Sequence, residues 1–153
     1  MSSANYAAIF EQSGGPAWEA RHGMTSDQYQ QTFNQLVGQG YRLVLVDGYS
    51  VNGQDFYAAI FEQRSSPPWE ARHGMTSDQY QQTFNQLVGQ GYRLVNVSGY
   101  GVNGQALYAA IFEQSGGPAW EARHGMTSDQ YQQTFNQLVG QGYRLVDVSG
   151  YEV

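Results

Sequence analysis

The sequence predicts an α+β fold of three β-β-α-β repeats, with antiparallel sheets that each carry one amphipathic helix. Three observations carry this reading. Residues 6–51, 57–102 and 108–153 are nearly the same text, written at a fixed step of 51. Each copy holds one stretch with helical spacing of apolar residues and three stretches rich in strand formers. Asn52-Gly53 and Asn103-Gly104 then mark tight hairpin turns between consecutive copies.

The elements follow in order from the first copy. Tyr6 to Glu11 reads as a first strand, and its counterpart runs from Phe56 to Glu62. A Gly/Pro/Ser turn leads into Trp18-Glu19-Ala20-Arg21-His22. Strand alternation sends Trp18, Ala20 and His22 one way and Glu19 and Arg21 the other. Thr25-Ser26-Asp27-Gln28 is a helix start: Thr25 can cap the free N–H groups and Gln28 can answer it as a capping box. Met24 and Tyr29 are placed as a hydrophobic staple, and Asp27 suits the helix dipole. Tyr29, Phe33, Leu36 and Val37 form one apolar stripe, opposite Gln30, Gln31, Asn34 and Gln35. Gly38 and Gly40 stop the helix. Helices are thus expected at about 26–38, 77–89 and 128–140. Tyr41 to Val46 is the third strand, with Val44 and Val46 on one face. Leu45, Asn96 and Asp147 share one position, so that position is expected at the surface.

At 153 residues the chain fits one cooperative domain of three repeats, spanning 5–55, 56–106 and 107–153. A repeat of this size cannot bury its apolar face alone and needs its neighbours. The first strand of copy one has no partner before it, and the last strand of copy three has none after it. Their pairing would close a pseudo-three-fold ring and remove two exposed edges. An open solenoid whose ends pair between molecules is the alternative.

Copies one and three differ only at Leu45/Asp147, Asp47/Ser149 and Ser50/Glu152, and even exposed Gln and Asn are repeated. Such near-identity points to a very recent duplication or to a designed, symmetric chain built by repeating one unit.

Composition narrows the chemistry. The net charge is -6, with seven Arg and no Lys, so the clustered positive charge that nucleic acid requires is absent. There is no Cys for a disulfide or a thiolate. No stretch reads as a membrane span or a signal segment, and a mature secreted domain would read the same. No cofactor is expected. Localisation is not written in the sequence.

Several residues could carry function. Trp18, Arg21 and His22, with Trp69, Arg72, His73 and Trp120, Arg123, His124, make the best candidate binding face, repeated three times. Their chemistry suits a carbohydrate or an extended peptide. The competing reading places Trp18 in the core under the helix and gives His22 a local hydrogen bond. Three histidines converging on a ring axis could hold zinc, with Glu19 as a base, which is the weaker enzymatic alternative. Glu19 and Arg21 lie two apart on one face and are expected to form an ion pair of small energetic weight. GQGYR follows the helix rather than opening one, so it does not read as a phosphate loop.

The run W-E-A-R-H-G-M-T-x-x-x-Y, then G-Y-R-L-V and G-Y, resembles the bacterial tandem repeat, also called the polyglycine-hydrolase-like repeat. The match recurs at Trp18 to Tyr49, Trp69 to Tyr100 and Trp120 to Tyr151. The resemblance implies an accessory array, of the sort found beside a β-lactamase-like serine hydrolase domain that is not seen in this sequence. It carries over no catalytic residue. The reading is therefore a non-enzymatic repeat scaffold whose native role, if any, is accessory binding, as a monomer or by symmetric self-association. The alternative is a lectin-like or peptide-binding module with three equivalent sites.

Overall fold

The computed structural model describes residues 3–153. The first lobe holds β1 (Trp18–Met24), α1 (Ser26–Gly38), β2 (Tyr41–Val51) and β3 (Gln54–Gln63). The second holds β4 (Trp69–Thr76), α2 (Ser77–Gly89), β5 (Arg93–Val102) and β6 (Gln105–Glu113), and α3 (Ser128–Gly140) follows. Three helices and two three-stranded antiparallel sheets make an α+β fold. The strand orders are β1-β3-β2 and β4-β6-β5. Each sheet therefore straddles a copy boundary. The first strand of one copy is the central strand between the Trp strand and the GYRLV strand of the copy before it.

Local chemistry explains the elements. Thr25 Oγ1 accepts from the Gln28 N–H at 3.2 Å and Gln28 Oε1 accepts from the Thr25 N–H at 2.9 Å, a complete capping box repeated at Thr76 and Thr127. Gln30 Nε2 donates to Asn34 Oδ1 one turn on, along the wet face. Asn52 and Gly53 both take positive φ, as a two-residue hairpin loop demands. Gly23 and Gly74 also sit at positive φ, where the Trp strand's register shifts beside the central strand.

The lobes stack. Tyr57, Ala59 and Phe61 of β3 pack under Tyr29, Phe33 and Leu36 of α1. Ala109 and Ile111 of β6 join that same core from the next sheet, while Tyr108, Ala110 and Phe112 face the core under α2. Hence β6 is buried on both faces, and α1 lies between two sheets. Along β2 and β5 the sheets meet edge to edge. The Val46 N–H donates to Asn96 Oδ1 at 3.0 Å, and the Gly48 N–H donates to Ser98 Oγ at 2.9 Å. Val97 and Gly99 are met in the same way by Asp147 and Ser149. Side-chain acceptors thus cap outward N–H groups along β2 and β5. The position shared by Leu45, Asn96 and Asp147 is exposed at Leu45 and Asp147, as expected, and half-buried at Asn96; Asn96 and Asp147 also accept a strand N–H at their joints.

The structure shows no closed ring. Residues 6–11 and 143–153 carry no strand pairing. The physical reason lies in the stacking. Residues 6–11 rest on the first sheet through Tyr6, whereas 143–153 rest on the second through Asp147 and Ser149. Two helices have their own sheet, and α3 has none and no buried residue.

One joint position gives a sharp prediction. A Cβ on Gly48 would overlap the Tyr100 ring, which is buried and held by hydrogen bonds to Tyr57 and Gly74. Gly48→Ala is expected to cost about 1–3 kcal/mol in urea unfolding. Gly150, the matching residue with open space around it, is expected to change by less than about 0.5 kcal/mol as Gly150→Ala.

Candidate functional site

The candidate residues lie on the Trp strands, and the joints decide what they face. Trp69 packs against Phe33 of α1 with ring centroids 5.6 Å apart, and the buried Arg42 guanidinium sits 5.3 Å from its ring centre. Trp120 repeats this with Phe84 and Arg93, at 5.7 Å each. His73 meets Tyr29 and Tyr57 edge-on, and its Nε2 lies 2.9 Å from Ser26 Oγ. His124 does the same with Tyr80, Tyr108 and Ser77. Burial holds both imidazoles below the usual histidine range, so they stay neutral near pH 7.

Arg21, Arg72 and Arg123 point to the other face. Each pairs with the Glu two residues earlier, at 2.8, 2.9 and 2.8 Å, as alternation predicts. These pairs are half exposed and contribute little to stability. Arg is thus not on the Trp–His face, and the nine candidates do not form one surface.

Tyrosines organise every joint. Tyr57 and Tyr100 share a hydrogen bond of 2.6 Å, and the Gly74 N–H donates to Tyr100 Oη at 3.0 Å. Tyr108 with Tyr151 and Gly125, and Tyr6 with Tyr49 and Gly23, repeat the unit. Burial raises the Tyr57 and Tyr100 hydroxyls above the usual phenol range, and Tyr49 is pushed up to about 12, chiefly by burial. These hydroxyls remain protonated structural donors, not bases. Their fixed spacing of 43 residues in every copy was the available sign.

The first copy differs. Among the described residues no helix packs on its outer side, so Trp18 is 62% exposed and His22 is exposed, with Tyr6 edge-on to His22 at 5.1 Å. His73 and His124 belong to two successive joints with separate partners, and His22 lies on the open face of the first copy beside Tyr6. Among the described residues no three His, Cys, Asp or Glu gather as a metal site. A broad depression at the start of α2 is lined by Thr76, Ser77, Asp78, Gly104, Gln105 and Ala106. At its edge the Ser77 hydroxyl lies 3.0 Å from His124 Nε2, the contact already described at that joint. No helix among the described residues is long and apolar enough to cross a membrane.

A family profile described as polyglycine hydrolase-like, structural repeat, matches residues 15–64, 66–115 and 117–153. These spans follow the lobes rather than the copies: each of the first two runs from a Trp strand through the central strand that completes its sheet. No curated protein matches the chain.

Proposed function

The chain belongs to the polyglycine hydrolase-like structural-repeat family, and from that premise we propose that it is a non-enzymatic scaffold, built by repetition of one unit. One observation carries this reading. The side chains best suited to chemistry are committed to joints between repeats: His73 to Ser26, Trp69 to Arg42 and Phe33, and the tyrosine hydroxyls to one another. A histidine kept neutral by burial against aromatic rings is a packing element here.

The exposure of Trp18 and His22 supports a second reading, an accessory site for a carbohydrate or an extended peptide. Such a site would occur once per chain, at the first copy, because Trp69 and Trp120 are packed against helices. Titration with a glycan panel and extended peptides, read by tryptophan fluorescence, is expected to give no saturable change. Saturable binding abolished by Trp18→Ala would overturn the scaffold reading and establish the second.

A further inference from the structure

We propose that copies of this chain join head to tail, with residues 6–12 of one copy entering the third lobe of another as its central strand. The slot is visible. In the first two lobes a YAAIFEQ strand lies between the Trp strand and the GYRLV strand. In the third, no strand among the described residues lies between 120–126 and 143–153. Leu145 is consequently 51% exposed, where the equivalent Leu43 is 0% exposed.

The occupant is visible too. Residues 6–12 repeat the text of 57–63 and 108–114, which fill the other two slots. They are anchored at Tyr6, whose hydroxyl lies 2.6 Å from that of Tyr49, while Ile9 and Phe10 stand 94% and 87% exposed. An unpaired strand carrying large apolar residues is a template for strand addition.

The junction would also bring α3 of the first copy onto the exposed Trp18–His22 face of the second. Ser128 then stands to His22 as Ser26 stands to His73, and Arg144 stands to Trp18 as Arg42 stands to Trp69. Charge agrees. Arg42 pairs with Glu113, 71 residues later. The same count from Arg93, continued through the junction, reaches Glu11 of the second copy. One contact is not reproduced: Leu45 stands where Asn96 and Asp147 accept a strand N–H. The seam is therefore weaker than an internal joint by that bond. Such a heterologous contact grows into filaments, or into rings where the rotation closes.

Sedimentation velocity over a wide range of protein concentration tests this. The wild-type chain is expected to form species of at least twice the 17.0 kDa of one chain. F10E blocks the strand and L145E blocks the slot, both at exposed positions, so each variant alone is expected to stay folded by circular dichroism and at one chain's mass. Mixed in equal amounts they are expected to form a dimer that grows no further, because each supplies the end the other lacks. L45N, which restores the missing acceptor, is expected to assemble at lower concentration than wild type. The proposal is overturned if the wild-type chain stays at 17.0 kDa at every concentration, including by closing on itself, or if F10E assembles as the wild type does.

Discussion

Replacing Phe61 or Phe112 by Ala is expected to lower stability by about 3–5 kcal/mol, whereas Phe10→Ala in the isolated chain is expected to change it by less than about 0.5 kcal/mol. The three residues occupy the same place in the same text. Their surroundings differ. Phe61 and Phe112 are 0% exposed at the centre of a three-stranded sheet, each edge-on to a helix phenylalanine, Phe33 or Phe84, at 6.3 Å. Truncation removes the transfer free energy of a ring and leaves a hole under a helix that is itself held from the far side. For Phe112 the Trp120 ring packs on Phe84 from the far side of α2, so collapse into the hole is restricted. Phe10 touches no core and leaves no cavity. A domain's whole stability is of order 5–15 kcal/mol, so either core substitution should shift the urea midpoint far, with Phe10→Ala overlaying the parent curve. Measurement belongs at concentrations where the chain is a single copy. A loss at Phe10→Ala comparable to that at Phe61→Ala would mean that residues 6–12 are buried within their own chain.

The contrast among these phenylalanines marks where the sequence is legible. Helix bounds are local: a Thr-x-x-Gln box, a stripe at Tyr29, Phe33 and Leu36, and a glycine stop specify residues 26–38 without reference to anything distant. The Asn-Gly hairpins are local in the same way. Strand order is not. That Tyr57–Phe61 is central and Tyr41–Val51 lies at an edge depends on partners on either side in the fold. One sign was available: Tyr-Ala-Ala-Ile-Phe does not alternate, and an unbroken apolar run belongs to a strand buried on both faces, as β6 is, whereas in β3 Ile60 stays 36% exposed. The edge strand instead ends on small and polar residues, and its joint is stitched by Asn96 and Ser98 from the next copy.

The candidate site was half legible for a related reason. Alternation puts Trp69 and His73 on one face and Arg72 on the other, as found. Whether the Trp–His face meets solvent or a neighbouring helix depends on the stacking of lobes, which period-two patterning does not report. The same gap explains the closure reading. Complementary ends show that a strand and a slot fit, but not that they meet within one chain.

Glu113→Ala is expected to cost about 3–5 kcal/mol, because it strands a buried cation. Arg42 is 4% exposed. Its Nε and Nη2 donate to the Leu43 carbonyl at 3.0 and 2.9 Å, its Nη1 reaches Glu113 at 2.5 Å, and Trp69 covers its face. The carbonyl and the ring offer only partial charges, so among the described residues Glu113 is the carboxylate that pairs with the guanidinium. Its removal leaves the desolvation cost of Arg42 intact and deletes the attraction that offsets it. Glu62 supplies the control within the same molecule. It holds the equivalent place in the preceding copy but pairs with Arg64 at 2.8 Å, with both partners about a third exposed. Glu62→Ala should therefore cost only about 0.2–1 kcal/mol. Glu113→Gln keeps an acceptor without the charge and should fall between the two. A double-mutant cycle on Arg42→Met and Glu113→Leu separates the pair from its surroundings: if the charge balance is what matters, the double variant regains much of what Glu113→Leu alone loses. A double variant no more stable than Glu113→Leu would instead assign the loss to the packing of the Arg42 stem against Trp69.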